Sequence, residues 1–155
     1  MLSLLVGLQM KVSHKGQVFT KIVLEVFKLG GFLIREGDQM GLEYGVTSAR
    51  WKILGALYIA GEPQTASQIA RRMGLTRQAV QRLVDAMHKD GFLLFHQNPD
   101  HKRAKLISLS DYGNEIYLKL YEEQSGWATS CSAGITQEEL KTTLSVLKRI
   151  SNNID

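Results

Sequence analysis

A single cysteine, Cys131, in a chain of 155 residues excludes an intrachain disulfide, and with it a fold built on disulfide bridges. That usage fits a reducing compartment, and the expected location is cytoplasmic. Proline is as scarce, with Pro63 and Pro99 alone, and no repeated, low-complexity or Pro/Gly-rich stretch offers a linker. Residues 1–155 therefore read as one unit. Long apolar runs are missing too. The opening MLSLLVGLQM is too short to cross a bilayer and lacks the leader charge and cleavage site of a signal peptide. It reads either as an apolar extension of the first helix or as a stretch ahead of a true start at Met10. Motifs for chemistry are absent as well. His14, His88, His96 and His101 are scattered, with no HxxxH or CxxC spacing, so neither metal nor cofactor is expected. No nucleophile elbow, phosphate loop or dinucleotide fingerprint is present, and an enzyme is not expected.

What is present is an ordinary globular composition, 44% hydrophobic and 22% charged, with an uneven distribution of charge. The net charge is +4 overall, made of +2 over residues 1–64, +5 over 65–105 and −3 over 106–155. A basic centre between less basic ends is the footprint of a nucleic-acid-binding face, with a merely solvated charged surface as the plain alternative.

Periodicity supplies the elements. Ile22, Val26, Leu29 and Leu33 recur at helical spacing within 17–40, and Gly30-Gly31 should weaken or bend that helix. Residues 41–45 read as a break. Thr47 caps a helix carrying Trp51, Leu54, Leu57 and Tyr58, which ends at Gly61-Glu62-Pro63. Two short helices follow, capped by Thr65 and Thr76 and stopped by Gly74 and Asp90-Gly91. Two apolar runs around Asn98-Pro99-Asp100 then predict a β-hairpin. Ser110 or Asp111 caps a further helix with Ile116, Leu120 and Tyr121 turned inward. Thr136-Gln137-Glu138-Glu139 has capping-box spacing ahead of a stripe of Leu140, Leu144, Leu147, Ile150 and Ile154. The expected fold class is mainly α (α+β).

The two short helices and the hairpin, Thr65 to Leu109, have the order of a winged helix-turn-helix. Ala70 allows close helix approach, Gly74 permits the turn, and Leu75 is expected in the core. In the second helix, apolar positions 80, 83, 84 and 87 leave Arg77, Gln78, Gln81 and Arg82 facing outward. Arginine donates two hydrogen bonds to guanine and glutamine matches adenine. Thr76 and the free backbone N–H groups at the start of the second helix suit a phosphate, and Ser67 on the first is a further DNA-contact candidate. His101, Lys102 and Arg103 stand at the hairpin tip, where long cations reach backbone or minor groove. For any single residue a solvated surface is the alternative, but the ensemble is specific.

The stretches TASQIA (65–70), LTRQAVQRLVD (75–85) and NPDHKRAKL (98–106) resemble the multiple antibiotic resistance regulator (MarR) family. The likeness extends more weakly toward both ends. It implies a homodimer whose terminal helices interlock, residues 1–46 and 110–155 forming that part and 47–109 the winged helix. It also implies that Thr76, Arg77, Gln78, Gln81 and Arg82 lie on the recognition helix and Arg103 on the wing. Two departures stand out. His101 replaces the family's usual aspartate two residues before the wing arginine, with Asp100 adjacent, and Gln78, Ala79 and Gln81 replace small hydroxyl residues. No operator sequence carries over.

A dimer also follows from apolar excess. Leu2, Leu4, Leu5, Leu8 and the 140–154 stripe lie far in sequence from the winged core and would cover one another in an interlocked pair; helices folding back on their own domain are the alternative. A two-fold pair would read half-sites roughly 10 bp apart on double-stranded DNA. The resemblance further implies a small aromatic effector in a cleft that Trp51, Tyr58, Tyr112 and Tyr117 are candidates to line, although aromatics at helical spacing are more often core. Cys131 has no cation adjacent in sequence to activate it and reads as inert. The expected function is a transcription repressor released from a near-palindromic operator by that effector; a winged-helix protein-interaction module is the alternative.

Overall fold

Hydroxyl side chains set the helix starts. Ser13 accepts from the Gly16 N–H, Thr47 from Arg50, Thr65 from Gln68, Thr76 from Ala79, Ser110 from Gly113 and Thr136 from Glu139, all at 3.0–3.3 Å. Each satisfies an amide that the first helical turn leaves without a partner. In the computed structural model, which describes residues 13–154, these caps open α1 (His14–Gly41), α2 (Ser48–Ala60), α3 (Ala66–Met73), α4 (Arg77–Lys89), α5 (Asp111–Cys131) and α6 (Gln137–Ile154). A 3-10 turn, Leu42–Tyr44, fills the break expected after α1. The interface role expected of Leu2, Leu4, Leu5 and Leu8 falls outside the described residues.

Strands β1 (Leu93–His96) and β2 (Leu106–Leu109) form the predicted hairpin, antiparallel, with Leu93 opposite Leu109 and Phe95 opposite Ile107. Gln64, just ahead of α3, exchanges backbone hydrogen bonds with Ile107 at 2.8 and 2.9 Å and so ties the helix pair to the wing. One core lies beneath these elements. Ile53, Leu54 and Leu57 of α2 meet Ile69 and Ala70 of α3, Val80, Val84 and Met87 of α4, Leu93 and Ile107 of the wing, and Ile116, Tyr117 and Leu120 of α5. Fully burying one such large side chain stabilises the fold by about 1.5–3 kcal/mol.

Helix α1 runs through Gly30-Gly31 without a break, because glycine weakens a helix without removing a backbone donor. Two expectations are corrected. Leu75 is 42% exposed rather than core. Gly74 takes the left-handed conformation, φ 62°, and the Leu75 N–H returns to the Ala70 carbonyl at 2.9 Å; this closure turns the Leu75 side chain outward while Ala70 and Val80 fill the core. On α5 the inward tyrosine is Tyr117, and Tyr121 is 56% exposed. The buried stripe is Gly113, Ile116, Tyr117 and Leu120, at the three- and four-residue steps of one helix face.

Between the two halves run a few polar ties. The Asp38 carboxylate accepts from the Ser48 N–H at 2.6 Å, joining α1 to the start of α2. The Tyr44 hydroxyl donates to Glu123 of α5 at 2.8 Å. Hydrogen bonding to Glu43 and to Glu123 holds that hydroxyl well above its ordinary pKa, so it stays protonated and keeps donating.

Candidate nucleic-acid interface

Three elements enclose one groove of about 350 Å³: the start of α3, the outer face of α4 and the base of the wing. Its lining brings together Ser67, Arg77, Gln81 and Arg103 from the sequence-predicted set. Helix geometry accounts for the α4 contribution. Positions 77, 81 and 85 lie four apart on one stripe, which flanks the face that buries Val80, Val84 and Met87. Gln78 and Arg82 are exposed on the neighbouring stripe, outside the groove lining. Thr76 is committed as the cap of α4 through its oxygen. His101 and Lys102 are exposed at the wing tip.

The wing tip is held by local bonds. The Asn98 side chain accepts from the Asp100 N–H at 3.0 Å, an Asx turn, and the Ala104 N–H reaches the His101 carbonyl at 3.0 Å. Asn98 and backbone thus brace the turn where His101 replaces the family's aspartate. At the wing base, His88 of α4 donates through Nδ1 to the Leu93 carbonyl at 2.8 Å, and its ring lies 4.3 Å from the Phe95 ring. Lys105 sits over the other aromatic partner of this stack, its Nζ 5.1 Å from the Phe95 centroid. Helix and wing are therefore joined as one body.

Sequence reasoning passed over three residues of this groove's surroundings. Asp85 lines it and accepts from Gln81 Nε2 at 2.9 Å; its four-residue spacing from Gln81 was the available signal. Phe95 and Ile107 form its apolar floor, and strand alternation about an unknown register gave no way to assign them.

A second cavity, of about 300 Å³, opens between α1, α2 and α5 and is lined by Leu33, Gly37, Met40, Trp51, Tyr117 and Gln124 among others. Of the four aromatic candidates, Trp51 and Tyr117 share this cavity. Burial above all, with Tyr58 and Tyr121 nearby, raises the Tyr117 hydroxyl above its ordinary pKa, leaving a neutral phenol at physiological pH. Tyr58 stacks on Tyr117 at 4.5 Å but faces a separate cleft with Pro63, Leu109 and Asn114. Tyr112 packs on Phe92 at 5.0 Å. The four aromatics do not line one cleft, since α5 rotates positions 112 and 117 by 140° relative to each other at 100° per residue.

Known proteins share this fold. Residues 44–104 match the MarR family. The Bacillus subtilis HTH-type transcriptional regulator YkoM is 30% identical over 107 residues, 69% of each chain. The fold is that of Staphylococcus aureus MepR, solved as a DNA complex, at TM-score 0.74 and 16% identity over 84% of this chain and 96% of that one. It is also that of the organohalide-sensing regulator RdhR in its 2,4-dichlorophenol-bound form, at TM-score 0.76 and 20% identity over 88% and 80%. With the helix pair, the wing and the flanking helices in the order the sequence implied, and a transcriptional regulator as a relative at this identity, the chain belongs to the MarR family.

Proposed function

We propose that this protein is a homodimeric, sequence-specific DNA-binding repressor, acting on a near-palindromic operator and released by a small aromatic effector. The observation that carries the reading is the groove in which Ser67, Arg77, Gln81 and Arg103 converge from three elements. Arg77 and Gln81, with Gln78 and Arg82 beside them, are the base-reading candidates. Ser67, Thr76, His101, Lys102 and Arg103 are assigned to phosphate and minor-groove contacts. MepR, which shares the fold, was solved bound to DNA.

Dimerisation is supported by apolar surface that the protomer leaves uncovered. On α1, Leu24 and Phe27 are 63% and 74% exposed, and on α6 Leu140, Leu144 and Ile154 are 43%, 54% and 76% exposed. Faces of this kind mark association surfaces. The cavity beside Trp51 and Tyr117 is the assigned effector site; a relative in fold holds 2,4-dichlorophenol, and an aromatic of that size fits an apolar pocket with a phenol donor on its wall.

A fluorescence-anisotropy titration against duplex from the protein's own upstream region, beside random duplex, tests the reading. Preference for the upstream duplex is expected. Arg82→Ala should erode that preference, whereas Lys102→Ala should weaken binding to every sequence and lower the salt slope by about 1. Equal binding to both duplexes at every salt concentration would overturn the assignment and favour an interaction module on an acidic protein.

A further inference from the structure

We propose that Asp85 determines base preference by fixing the side-chain amide of Gln81, so that this glutamine presents one defined edge, matched to adenine. The inference rests on the DNA-binding reading above. Arg77, Arg103 and Lys105 give the groove its cationic lining, and Asp85 places a carboxylate among them. For attraction to a polyanion alone, that carboxylate is unfavourable. Its contact explains what it contributes instead. Gln81 Nε2 donates to Asp85 Oδ1 at 2.9 Å, one helical turn along the same stripe.

A glutamine amide free to turn over presents its oxygen or its nitrogen to a given point with little preference. Beside Asp85 the reversed orientation would set Oε1 against a carboxylate oxygen, two acceptors with no proton between them. The amide is therefore held with its nitrogen toward Asp85. Oε1 and the second N–H remain available, an adjoining acceptor and donor. That pair complements N6–H and N7 of adenine in the major groove. Guanine also offers N7 to that N–H, but its O6 would meet Oε1, acceptor against acceptor. Gln81 is half-buried and Asp85 exposed, so the pair sits at the groove wall, within reach of a base edge and set back from the solvent-facing tip of Lys102.

Selection of bound duplexes from a randomised library, by the wild-type chain, Gln81→Ala, Asp85→Ala and the double variant, tests the assignment. Circular dichroism melting first establishes that each is folded. Wild type is expected to enrich adenine at one position per half-site. Gln81→Ala and Asp85→Ala should lose enrichment at that same position, by about 5- to 150-fold in relative affinity. The double variant should lose no more than Gln81→Ala alone, the signature of residues acting as one unit. Asp85→Asn offers a donor as well as an acceptor, so it again admits the reversed amide; it should lose most of the adenine preference while binding random duplex more tightly than wild type. If Asp85→Ala tightens binding to all sequences and keeps the preference, the carboxylate acts by charge alone and the proposal falls. Full retention of the preference in Asp85→Asn would equally overturn it. A wild-type chain that enriches no sequence would bring down the regulator reading itself, and this inference with it, a result distinct from either of the other two.

Discussion

Arg50 belongs to no pattern that periodicity or motif reveals, yet it fastens α2 to the end of the candidate recognition helix. Its Nη2 pairs with Asp90 at 2.7 Å, its Nη1 donates to the Gly45 carbonyl at 3.4 Å, and its guanidinium lies 6.0 Å from the Phe92 ring centroid. The Arg50 side chain is 21% exposed and that of Asp90 45%, so water screens the pair only in part. Arg50→Ala should therefore lower unfolding stability by about 1 kcal/mol, the sum expected of a half-screened ion pair and a cation–π contact. Urea denaturation reads this as a lower midpoint at unchanged slope. An unchanged midpoint would mean that the pair is as dispensable as most surface ion pairs. Asp90 was legible as the C-cap of a helix; its partner, forty residues earlier in the chain, was not, because no local rule links the two positions.

At the scale of the element, caps and turns were the most legible part of the chain, because they depend on residues within one turn of each other. The start of α6 is the clearest case. The Glu139 carboxylate accepts from the Thr136 hydroxyl at 2.7 Å and from the Thr136 N–H at 2.8 Å. These two bonds, the hydroxyl first, hold its pKa below the ordinary 4.5. A depressed carboxylate pKa stabilises the fold in full above the free-carboxyl value, and that contribution is lost as the pH falls through the folded value. Below pH 4.5 the wild-type chain should thus lose stability more steeply than Glu139→Gln, with thermal unfolding followed by helical circular dichroism as the measure. Parallel pH curves for the two chains would contradict it. Stripes were less legible than caps. On α5 the pattern suggested Tyr121, but the helix buries Tyr117, because which of two tyrosines four residues apart turns inward depends on where α2 packs.

Over the whole molecule, one set of apolar side chains fills the winged core. Among the described residues, most of the exposed large apolar side chains lie on α1 and α6, with Phe27 74% and Leu144 54% exposed. A charge at Leu144 then meets only solvent in an isolated protomer but a dry interface in a pair. Leu144→Glu should leave helical content unchanged while sedimentation velocity shifts the chain from about twice its 17.4 kDa toward that mass, and affinity for a two-half-site duplex should drop with it. Sedimentation of the wild-type chain at 17.4 kDa would refute the homodimer outright.

The linear chain was enough to place the caps that open α2 to α6, to set a hairpin after the basic helix pair, and to carry the resemblance to the MarR family. These rest on hydrogen bonds closed within a few residues, on the period of apolar side chains, and on motif residues that lie in unbroken stretches. Packing in three dimensions was needed to bring Ser67, Arg77, Gln81 and Arg103 into one groove with Asp85, to turn Leu75 outward, and to set Trp51 and Tyr117 on a cavity that Tyr58 and Tyr112 do not line. Those facts depend on how α2, α3, α4, the wing and α5 pack around one core, and so on distances between residues that the linear order does not relate.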